Sequence, residues 1–243
     1  MKAELLSQLV EDRRNERATV LAVNLDTGEQ SLLYPLETGS EDGGPETSDL
    51  HRAARTALLN DRSKQVDGPD GRLFLQVHNT PLRMVLAGAV HVAQPLARMA
   101  SYAGFAVSVV DPREAFNTEA RFPGMDRLLS WPDAAMERLG LDHRTAVVIL
   151  THDPKLDDPA LVAALGSPAF YIGALGSRMN QAKRLERMRE AGFDEATLAR
   201  IHGPVGLDIG ARTPEEIAAA IMAEVIRELR RDPSCPPFRS LPG

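Results

Sequence analysis

Residues 82–111 read LRMVLAGAVHVAQPLARMASYAGFAVSVVD, and this stretch decides the fold. The apolar run at 82–87 is typical of a strand that is buried on both faces, and Gly88 follows it directly. Helical spacing of apolar residues then predicts a helix near 91–103, and a second β-branched run at 106–111 predicts another strand. A strand, a helix and a strand in this order predict a parallel βαβ unit.

The same alternation continues toward the C-terminus. Further strands are predicted at 146–150 and 169–172, and further helices near 133–139, 158–166 and 178–191. For the last helix, Thr213 is the predicted N-cap, Pro214 takes the first helical position and Glu216 completes a capping box. We therefore predict an α/β fold with a Rossmann-like, doubly wound parallel sheet over residues 81–232, followed by a Pro-rich tail at 233–243.

The first 80 residues predict a small N-terminal α/β domain. The predicted elements are helices at 1–16 and 49–60, strands at 19–25, 30–34 and 73–77, and a mobile, acidic, Gly-rich loop at 37–48. The sequence Asp26-Thr27-Gly28 lies between the first two strands and is typical of a hairpin turn, so we expect these strands to pair in the antiparallel sense.

Composition limits the possible function classes. The 243 residues are 43% hydrophobic and 26% charged, which is typical of a soluble globular protein. The net charge of -6 argues against a nucleic-acid-binding protein, and no apolar run approaches the roughly 20 residues that span a bilayer. A lone cysteine, Cys235, excludes an internal disulfide and a multi-cysteine metal site. We expect a cytoplasmic protein with no membrane or nucleic-acid partner.

The first candidate site follows the predicted strand at 82–87. Gly88 and Ala93 match the first and third positions of the dinucleotide fingerprint G-x-G-x-x-G/A, whereas Val90 replaces its second glycine and obstructs the approach of a pyrophosphate. Asp111, at the end of the next strand, is placed to accept hydrogen bonds from a ribose. The alternative is that Gly88 only permits a tight turn between strand and helix.

A second Gly-rich turn, YIGALGSR at 171–178, again joins a predicted strand to a helix. Gly173 and Gly176 would let the backbone approach a ligand, and the N-terminus of the helix favours an anion. Ser177 is a suitable N-cap, and the planar guanidinium of Arg178 suits a phosphate. The alternative makes Ser177 a plain cap and Arg178 a solvated surface charge.

The tripeptide Thr151-His152-Asp153 lies directly after the predicted strand at 146–150. In doubly wound sheets the carboxyl ends of the strands face the ligand crevice, so His152 and Asp153 are candidates for proton transfer, ligand binding or metal binding. Adjacent side chains on an extended chain point apart, however, and Thr151 and Asp153 are equally suited to cap the following turn. Both interpretations stay open.

The segment HGPVGLDIGARTP at 202–214 contains three glycines and two prolines, which exclude a regular helix or a central strand. It predicts a shaped loop that leads into the last helix. Arg212 is placed to reach an anion, and Asp208, two residues before Gly210, is placed to order the loop or to bind a ligand hydroxyl. The alternative is a purely structural loop. Trp131, elsewhere in the chain, is predicted to pack in the protein rather than to stack on a ligand.

Four stretches together resemble the xanthine dehydrogenase accessory factor family, also called XdhC/CoxI. They are VLAGAVHVAQPLARMASYAGFAVSVVDPR (85–113), AVVILTHDPKLDDPAL (146–161), YIGALGSRMNQAKRLERM (171–188) and PVGLDIGARTPEEIAAAIMAEV (204–225). The resemblance runs from Leu82 to Arg231, and its most specific parts are YIGALGSR and GLDIGARTPEEIA. It implies a fold similar to that of dinucleotide-binding proteins.

The resemblance also implies a maturation factor rather than a catalyst. Members of the family bind the molybdenum cofactor, as molybdopterin or its cytosine dinucleotide, and assist its sulfuration with a cysteine desulfurase. They then deliver it to a molybdenum hydroxylase apo-enzyme such as xanthine or carbon monoxide dehydrogenase, usually as homodimers. Many carry a cysteine in a Gly-rich N-terminal segment, which this chain lacks. The residues predicted to bind the cofactor are Gly88, Val90, His91, Asp111, Arg113, Thr151, His152, Asp153, Gly173, Gly176, Ser177, Arg178, Asp208, Gly210 and Arg212.

Two other function classes stay open. An NAD(P)-dependent oxidoreductase would keep Gly88 and Asp111 and would use His91 or His152 in proton transfer, although Val90 and the lack of a distinct substrate domain argue against it. A pure interaction protein would dock the apo-hydroxylase without binding a small molecule. Its docking surface would lie on the first 80 residues, which hold 14 acidic and 9 basic side chains.

Overall fold

A computed structural model describes residues 3–37, 49–68 and 71–231. The chain divides into two compact units, the first ending at Pro81 and the second beginning at Leu82. Most of the predicted loop at 37–48 and the whole predicted tail, with Cys235, lie outside the described residues. None of the helices in the described ranges is long and apolar enough to cross a lipid bilayer.

The first unit is a four-stranded antiparallel sheet with two helices. Its elements are α1 (Ala3–Arg14), β1 (Thr19–Asn24), β2 (Gln30–Leu33), α2 (Asp49–Leu59), β3 (Lys64–Gly68) and β4 (Gly71–His78), in the sheet order β2-β1-β4-β3. The hairpin of β1 and β2 is confirmed, with Val20 opposite Leu33. Strand β3 was not predicted, because its sequence KQVDG has a single apolar side chain, Val66, and gives no periodic signal.

The second unit is built on a six-stranded sheet in which every neighbouring pair is parallel. Its elements are β5 (Arg83–Ala87), α3 (Ala93–Tyr102), β6 (Ala106–Val110), β7 (Asp126–Leu128), α4 (Pro132–Leu139), β8 (Thr145–Ile149), α5 (Pro154–Leu165), β9 (Tyr171–Ala174), α6 (Arg178–Glu190), α7 (Glu195–Leu198), β10 (Ile201–His202) and α8 (Pro214–Leu229). The strand order β7-β6-β5-β8-β9-β10 is that of a Rossmann fold. The predicted α/β, doubly wound fold is confirmed.

The central strands of this sheet are buried because helices cover both faces. Strand β8 has no exposed residue, and β5 is buried from Met84 onward. One face packs on α3 and α8, where Leu96 and Ile221 are fully buried, and the other packs on α5, where Leu161 is fully buried. Side chains of this kind on both faces give the continuous apolar runs that the sequence shows.

Helix α8 begins as the sequence predicts. The Oγ1 of Thr213 accepts a hydrogen bond from the N–H of Glu216 at 3.2 Å, and the Glu216 carboxylate accepts one from the N–H of Thr213 at 3.1 Å. Helix α5, by contrast, begins four residues before its predicted start near residue 158. Asp153 caps it by accepting a hydrogen bond from the N–H of Lys155, and Pro154 takes the first helical position.

The packing of α8 on the sheet gives a matched pair of variants. Ile221 is fully buried and Ile226, in the same helix, keeps 42% of its surface exposed. We expect Ile221→Ala to lower the free energy of unfolding by about 2–5 kcal/mol, since it leaves a cavity, and Ile226→Ala to change it by under about 1 kcal/mol. Urea unfolding followed by circular dichroism measures both, and equal losses would contradict the assigned packing.

Candidate functional site

The predicted site segments lie along one edge of the six-stranded sheet, where its parallel strands end. Gly88–His91 follow β5, Asp111–Arg113 follow β6, Thr151–Asp153 follow β8, Gly176–Arg178 follow β9, and Asp208–Arg212 lie in the segment after β10. Chain order reverses between β5 and β8, because β6 and β7 continue on one side of β5 while β8, β9 and β10 continue on the other. Doubly wound proteins bind their ligands at this switch point.

The turn after β5 requires glycine for two reasons. Gly88 has φ +111°, and a Cβ at this position would lie 2.3 Å from the Cγ2 of Thr151. Its N–H donates to the carbonyl of Val110 at 2.8 Å, which holds the turn against the end of β6. Val90 packs half-buried against the core, and His91 is exposed in a hollow of about 350 Å³ beside α3 and the first residues of α8.

Asp111 is fully buried, and its carboxylate accepts hydrogen bonds from the chain itself. The N–H of Ala89 lies at 2.8 Å, and Nε and Nη2 of Arg113 lie at 2.8 and 2.7 Å. Burial alone would raise the pKa of Asp111, but these hydrogen bonds outweigh it and hold the pKa below its usual value. In the structure this carboxylate binds the turn after β5 to Arg113, and its predicted role as a ribose acceptor stays a prediction.

Arg113 connects this carboxylate to the open part of the edge. Its side chain is 40% exposed, and its pKa is raised mainly by the hydrogen bonds to Asp111. The charge of Asp153, which follows β8, raises it further. Segments after β6 and β8 therefore face each other across the end of β5, as a ligand crevice at the switch point requires.

A buried polar network that was not predicted from the sequence supports the other side of the crevice. Thr151 donates a hydrogen bond to Asp157, and Nη2 of Arg184 lies 3.3 Å from the other oxygen of that carboxylate. Arg184 also donates to Gln181 at 2.8 Å and to the carbonyl of Leu175 at 2.9 Å. Burial raises the pKa of Asp157, and the Thr151 hydrogen bond and the Arg184 charge oppose that shift without cancelling it.

This network ties the ends of β8 and β9 to α5 and α6. A sequence signal for it exists, because positions 181, 184 and 188 follow helical spacing and all three are buried on the sheet side of α6. An arginine on that stripe needs a buried carboxylate as partner. The sequence does not identify which acidic residue supplies it.

The helix N-termini along the edge differ in whether the chain neutralises them. Asp153 caps α5, and the Glu216 carboxylate accepts the N–H groups of Arg212 and Thr213 just before α8, so carboxylates already occupy these two positions. Helix α6 is capped by the neutral Ser177, whose Oγ accepts from the N–H of Asn180 at 3.2 Å, and α3 has no side-chain cap. Within the described helices, the first turns of α3 and α6 contain no acidic residue. The first N–H groups of α3 already donate to the carbonyls of Val90 and His91, so the N-terminus of α6 is the one better suited to an anion.

The predicted capping roles of Ser177 and Asp153 are therefore confirmed. Arg178, the first residue of α6, is exposed, as is His152. An anion at the α6 N-terminus would lie next to the Arg178 guanidinium. Whether Arg178 and His152 bind a ligand stays a prediction.

The loop after β10 is anchored on buried groups. Glu224 of α8 accepts hydrogen bonds from the Tyr171 hydroxyl at 2.7 Å and from the N–H of Gly206 at 2.8 Å. The N–H of Val205 donates to the carbonyl of Ala174 at 3.2 Å. These contacts fix the first half of the loop against β9.

Packing also explains one glycine that we predicted to approach a ligand. A Cβ at Gly173 would lie 2.5 Å from the Cγ2 of Val205, so the chain itself fills that space. Further along the loop, Asp208, Gly210 and Arg212 are exposed, and the N–H of Arg212 donates to Glu216 at 2.7 Å. Their side of the loop is therefore open to a ligand at the end of the sheet.

Comparisons with known proteins agree with this architecture. The family model described as the XdhC Rossmann domain matches residues 84–225. A Bacillus subtilis (strain 168) protein, named as a probable subunit of xanthine dehydrogenase, is 34% identical over 160 residues, 65% of this chain and 46% of that protein. The molybdenum cofactor insertion chaperone PaoD of Escherichia coli (strain K12) is 36% identical over 99 residues, 40% of this chain and 31% of PaoD.

The chain thus spans under half the length of these two relatives. A solved structure described as a xanthine dehydrogenase from Bacillus halodurans has a TM-score of 0.64 and 23% identity. The match covers 97% of this chain and 67% of that chain. At this level of identity the likeness shows the fold alone.

The contact between Gly88 and Thr151 gives a rescue experiment. We expect Gly88→Ala to lower the free energy of unfolding by about 2–5 kcal/mol, because it adds a backbone strain and a clash. Thr151→Ser removes the clashing methyl group but keeps the hydroxyl that binds Asp157. In the Thr151→Ser background we expect the loss of unfolding free energy caused by Gly88→Ala to be smaller, by at least about 1 kcal/mol, than in the wild type.

Gly124→Ala is the control for this cycle, since Gly124 also has positive φ but a Cβ at that position would meet no atom within 4 Å. We expect it to cost about 1 kcal/mol in either background. Urea unfolding measures the stability of the wild type, of the two single variants, of the double variant and of the Gly124→Ala controls. Equal costs of Gly88→Ala in both backgrounds would show that the contact is not the cause.

The lowered pKa of Asp111 predicts a pH dependence. A carboxyl group whose pKa is lower in the folded state stabilises the fold above its unfolded pKa of about 3.9 and loses that contribution as pH falls. We expect Asp111→Asn to cost about 1.5–3 kcal/mol at pH 7, and the difference from the wild type to shrink below about pH 4.

Urea unfolding at stepped pH, over the range where both chains fold, checks this expectation. Glu186→Gln is the control, because Glu186 is exposed in α6 beyond the first turn, and it should change stability by under about 0.5 kcal/mol at every pH. A difference for Asp111→Asn that stays constant as pH falls would assign its cost to packing rather than to the charge.

Proposed function

Because the chain belongs to the XdhC family, we propose that it binds the molybdenum cofactor and delivers it to a molybdenum hydroxylase, as a maturation factor rather than a catalyst. The observation that carries this proposal is the N-terminus of α6, which the chain caps only with the neutral Ser177 and leaves without a carboxylate, next to the switch point of the sheet. The name of the relative PaoD, a molybdenum cofactor insertion chaperone, supports the same role.

The donors at this edge fit a phosphorylated pterin. The α6 N-terminus, with the Ser177 hydroxyl and the exposed Arg178, offers N–H groups and a positive charge to a phosphate. The exposed His91, after β5, and the partly exposed guanidinium of Arg113, after β6, offer further donors at the same edge. Arg212 and Asp208 line the same edge beyond β9. When bound, the cofactor would supply the molybdenum centre that the client enzyme needs.

In this proposal the chain's own residues hold and shield the cargo. The Thr151–Asp157–Arg184 network fixes the ends of β8 and β9, and the Asp111–Arg113 pair fixes the ends of β5 and β6. A rigid crevice loses less entropy when it closes on a ligand. No proton transfer by His91 or His152 is required for such a role.

We extend the proposal to the steps around delivery. The client would be a hydroxylase of the xanthine or carbon monoxide dehydrogenase type, the cargo would be molybdopterin or its cytosine dinucleotide, and the carrier would act as a homodimer. Sulfuration would involve a cysteine desulfurase. Because Cys235 is the lone cysteine of this sequence, we propose that the desulfurase, and not a thiol of the crevice, carries the sulfur.

The oxidoreductase alternative has less support from the site. A ribose acceptor at the end of β6 would need a free carboxylate, and Asp111 is engaged by Ala89 and Arg113. Val90 also occupies the position where a fingerprint glycine would admit a pyrophosphate.

Arg178→Ala tests the carrier role. The purified chain is mixed with molybdenum cofactor under anaerobic conditions and ultrafiltered, and the retained pterin is measured by its fluorescence after oxidation. We expect Arg178→Ala to weaken retention by roughly 10- to 150-fold, the equivalent of one charged hydrogen bond of about 1.5–3 kcal/mol. Arg138→Ala is the matched control, because Arg138 is exposed in the last turn of α4, at the opposite edge of the sheet.

Three results would contradict the proposal. Free passage of the pterin through the filter with the wild-type chain would remove the carrier role. Micromolar binding in a fluorescence titration with NADH would favour the oxidoreductase. Full maturation of an apo-hydroxylase by the Arg178→Ala chain would favour a docking protein that binds no cofactor.

A further inference from the structure

The first unit contains a hollow of about 440 Å³ that shares no residue with the crevice of the second unit. The hollow lies between the end of α1 and the end of β4, and its lining includes Arg13, Arg14, Glu16, Arg17, His78 and Asn79. All of its described lining residues belong to the first unit. A volume of this size is in the range of pockets that bind small molecules.

One wall of the hollow is held by a buried carboxylate. Asp12 is buried and accepts hydrogen bonds from the Tyr34 hydroxyl at 2.9 Å and from Nη1 of Arg17 at 3.4 Å. Glu37 accepts from Nε and Nη2 of Arg17, both at 2.6 Å, and the guanidinium carbon of Arg17 lies 3.7 Å from the centre of the Tyr34 ring. These contacts neutralise Arg17 and fix the segment between α1 and β1, so this wall is formed before any ligand binds.

Two further arginines line the hollow with their donors open. Arg13 and Arg14 lie in the last turn of α1 and are exposed, and neither has an ion-pair partner within the described residues. Basic side chains at this end of a helix also complement its dipole, but that effect requires only their charge and leaves their N–H groups open. Glu16, which is exposed, is the opposing charge on the lining.

His78 lines the hollow from the other side. It is the last residue of β4 and lies opposite Thr19 in the register. Within the part of the chain that the structure describes, its Nε2 is buried and has no hydrogen-bond partner. Burial lowers the pKa of His78, and the charge of Arg13 lowers it further. The imidazolium and the Arg13 guanidinium therefore repel each other, and an anion that binds both would remove this repulsion.

We propose that Arg13, Arg14 and His78, which we call the arginine pocket, bind the phosphate group of a small molecule. The two arginines supply charged N–H donors from α1, and the imidazolium of His78 supplies another from β4. Phosphate is favoured over a carboxylate because a tetrahedral group directs oxygens toward both elements, whereas the two oxygens of a carboxylate lie in one plane. The inference stands apart from the proposed function, since the arginine pocket is a second ligand site.

The test uses His78 as a local reporter. Proton–carbon NMR of the full chain follows the six histidines, and His78→Asn assigns the His78 signal. The first probe is sulfate, which has the shape of phosphate and stays a dianion over the pH range in which histidine titrates. We expect sulfate to raise the pKa of His78 saturably, by at least about 0.5, because a bound dianion stabilises the imidazolium. Sodium chloride at equal ionic strength should raise it less, because chloride only screens Arg13.

Charge variants test the donors one at a time. Arg13→Gln and Arg14→Gln should each weaken sulfate binding at His78 by about 5- to 50-fold, since each removes a charged hydrogen bond. Without sulfate, Arg13→Gln should raise the pKa of His78, because it removes the repelling charge. Glu16→Gln should strengthen sulfate binding by about 2- to 5-fold, because it removes the opposing charge.

Two controls localise the effect. Arg62→Gln changes an exposed arginine of the same unit outside the hollow and should leave the His78 response as in the wild type. Arg178→Ala changes the crevice and should also leave it unchanged. Thermal unfolding of each variant checks that the fold is intact, as expected for exposed side chains.

A second pair of probes tests the ligand class. At pH 7, inorganic phosphate should bind at the His78 reporter at least about fivefold more tightly than succinate. Tighter binding of succinate would overturn the assignment to phosphate.

Other results would overturn the site itself. They are a pKa of His78 that sulfate leaves unchanged, an equal rise in chloride, and a full response that survives in both Arg13→Gln and Arg14→Gln. Loss of the His78 response in the Arg178→Ala chain would place the anion in the crevice instead. Retention of the pterin in the ultrafiltration assay depends on the crevice, so failure of the arginine pocket and failure of the carrier role are measured separately.

Discussion

The carboxylate of Asp111 lies out of contact with water between the ends of two strands, where it accepts hydrogen bonds from Ala89 and Arg113. A buried charge of this kind is tolerated only when donors surround it. Here the donors come from the turn after β5 and from the segment after β6. The geometry of the crevice at the switch point therefore depends on this one group, which also aims Arg113 at the edge.

The helix N-termini along that edge differ in how far the chain's own caps neutralise their partial positive charge. The N-termini of α5 and α8 receive carboxylates from Asp153 and Glu216, whereas α6 receives only the neutral Ser177. Each neutralised terminus loses its attraction for a ligand anion, and each open one keeps it. The acidic caps thus decide at which helix N-terminus an anionic ligand can bind. This selection requires no cluster of basic side chains, in agreement with the net charge of -6.

The sequence predicted the fold well because its signals are local. Apolar runs identify the central strands, and the Thr213–Glu216 capping box identifies the start of α8. It missed β7 and β10 because three and two residues are too short to show a period. It also missed the partners of Asp111 and Arg184, since pairings between distant elements depend on the tertiary fold. The exposure of Trp131 likewise depends on what the neighbouring elements leave uncovered.

The buried pair of Asp157 and Arg184 has a consequence for how sequences of this family can diverge. Loss of either partner would strand the other charge in the protein interior, at a cost of about 3–5 kcal/mol. Replacement of both by apolar residues of similar volume carries no such penalty. We therefore expect these two positions to change together, either both charged or both uncharged. Covariation across homologues would then reveal this contact from sequence data alone.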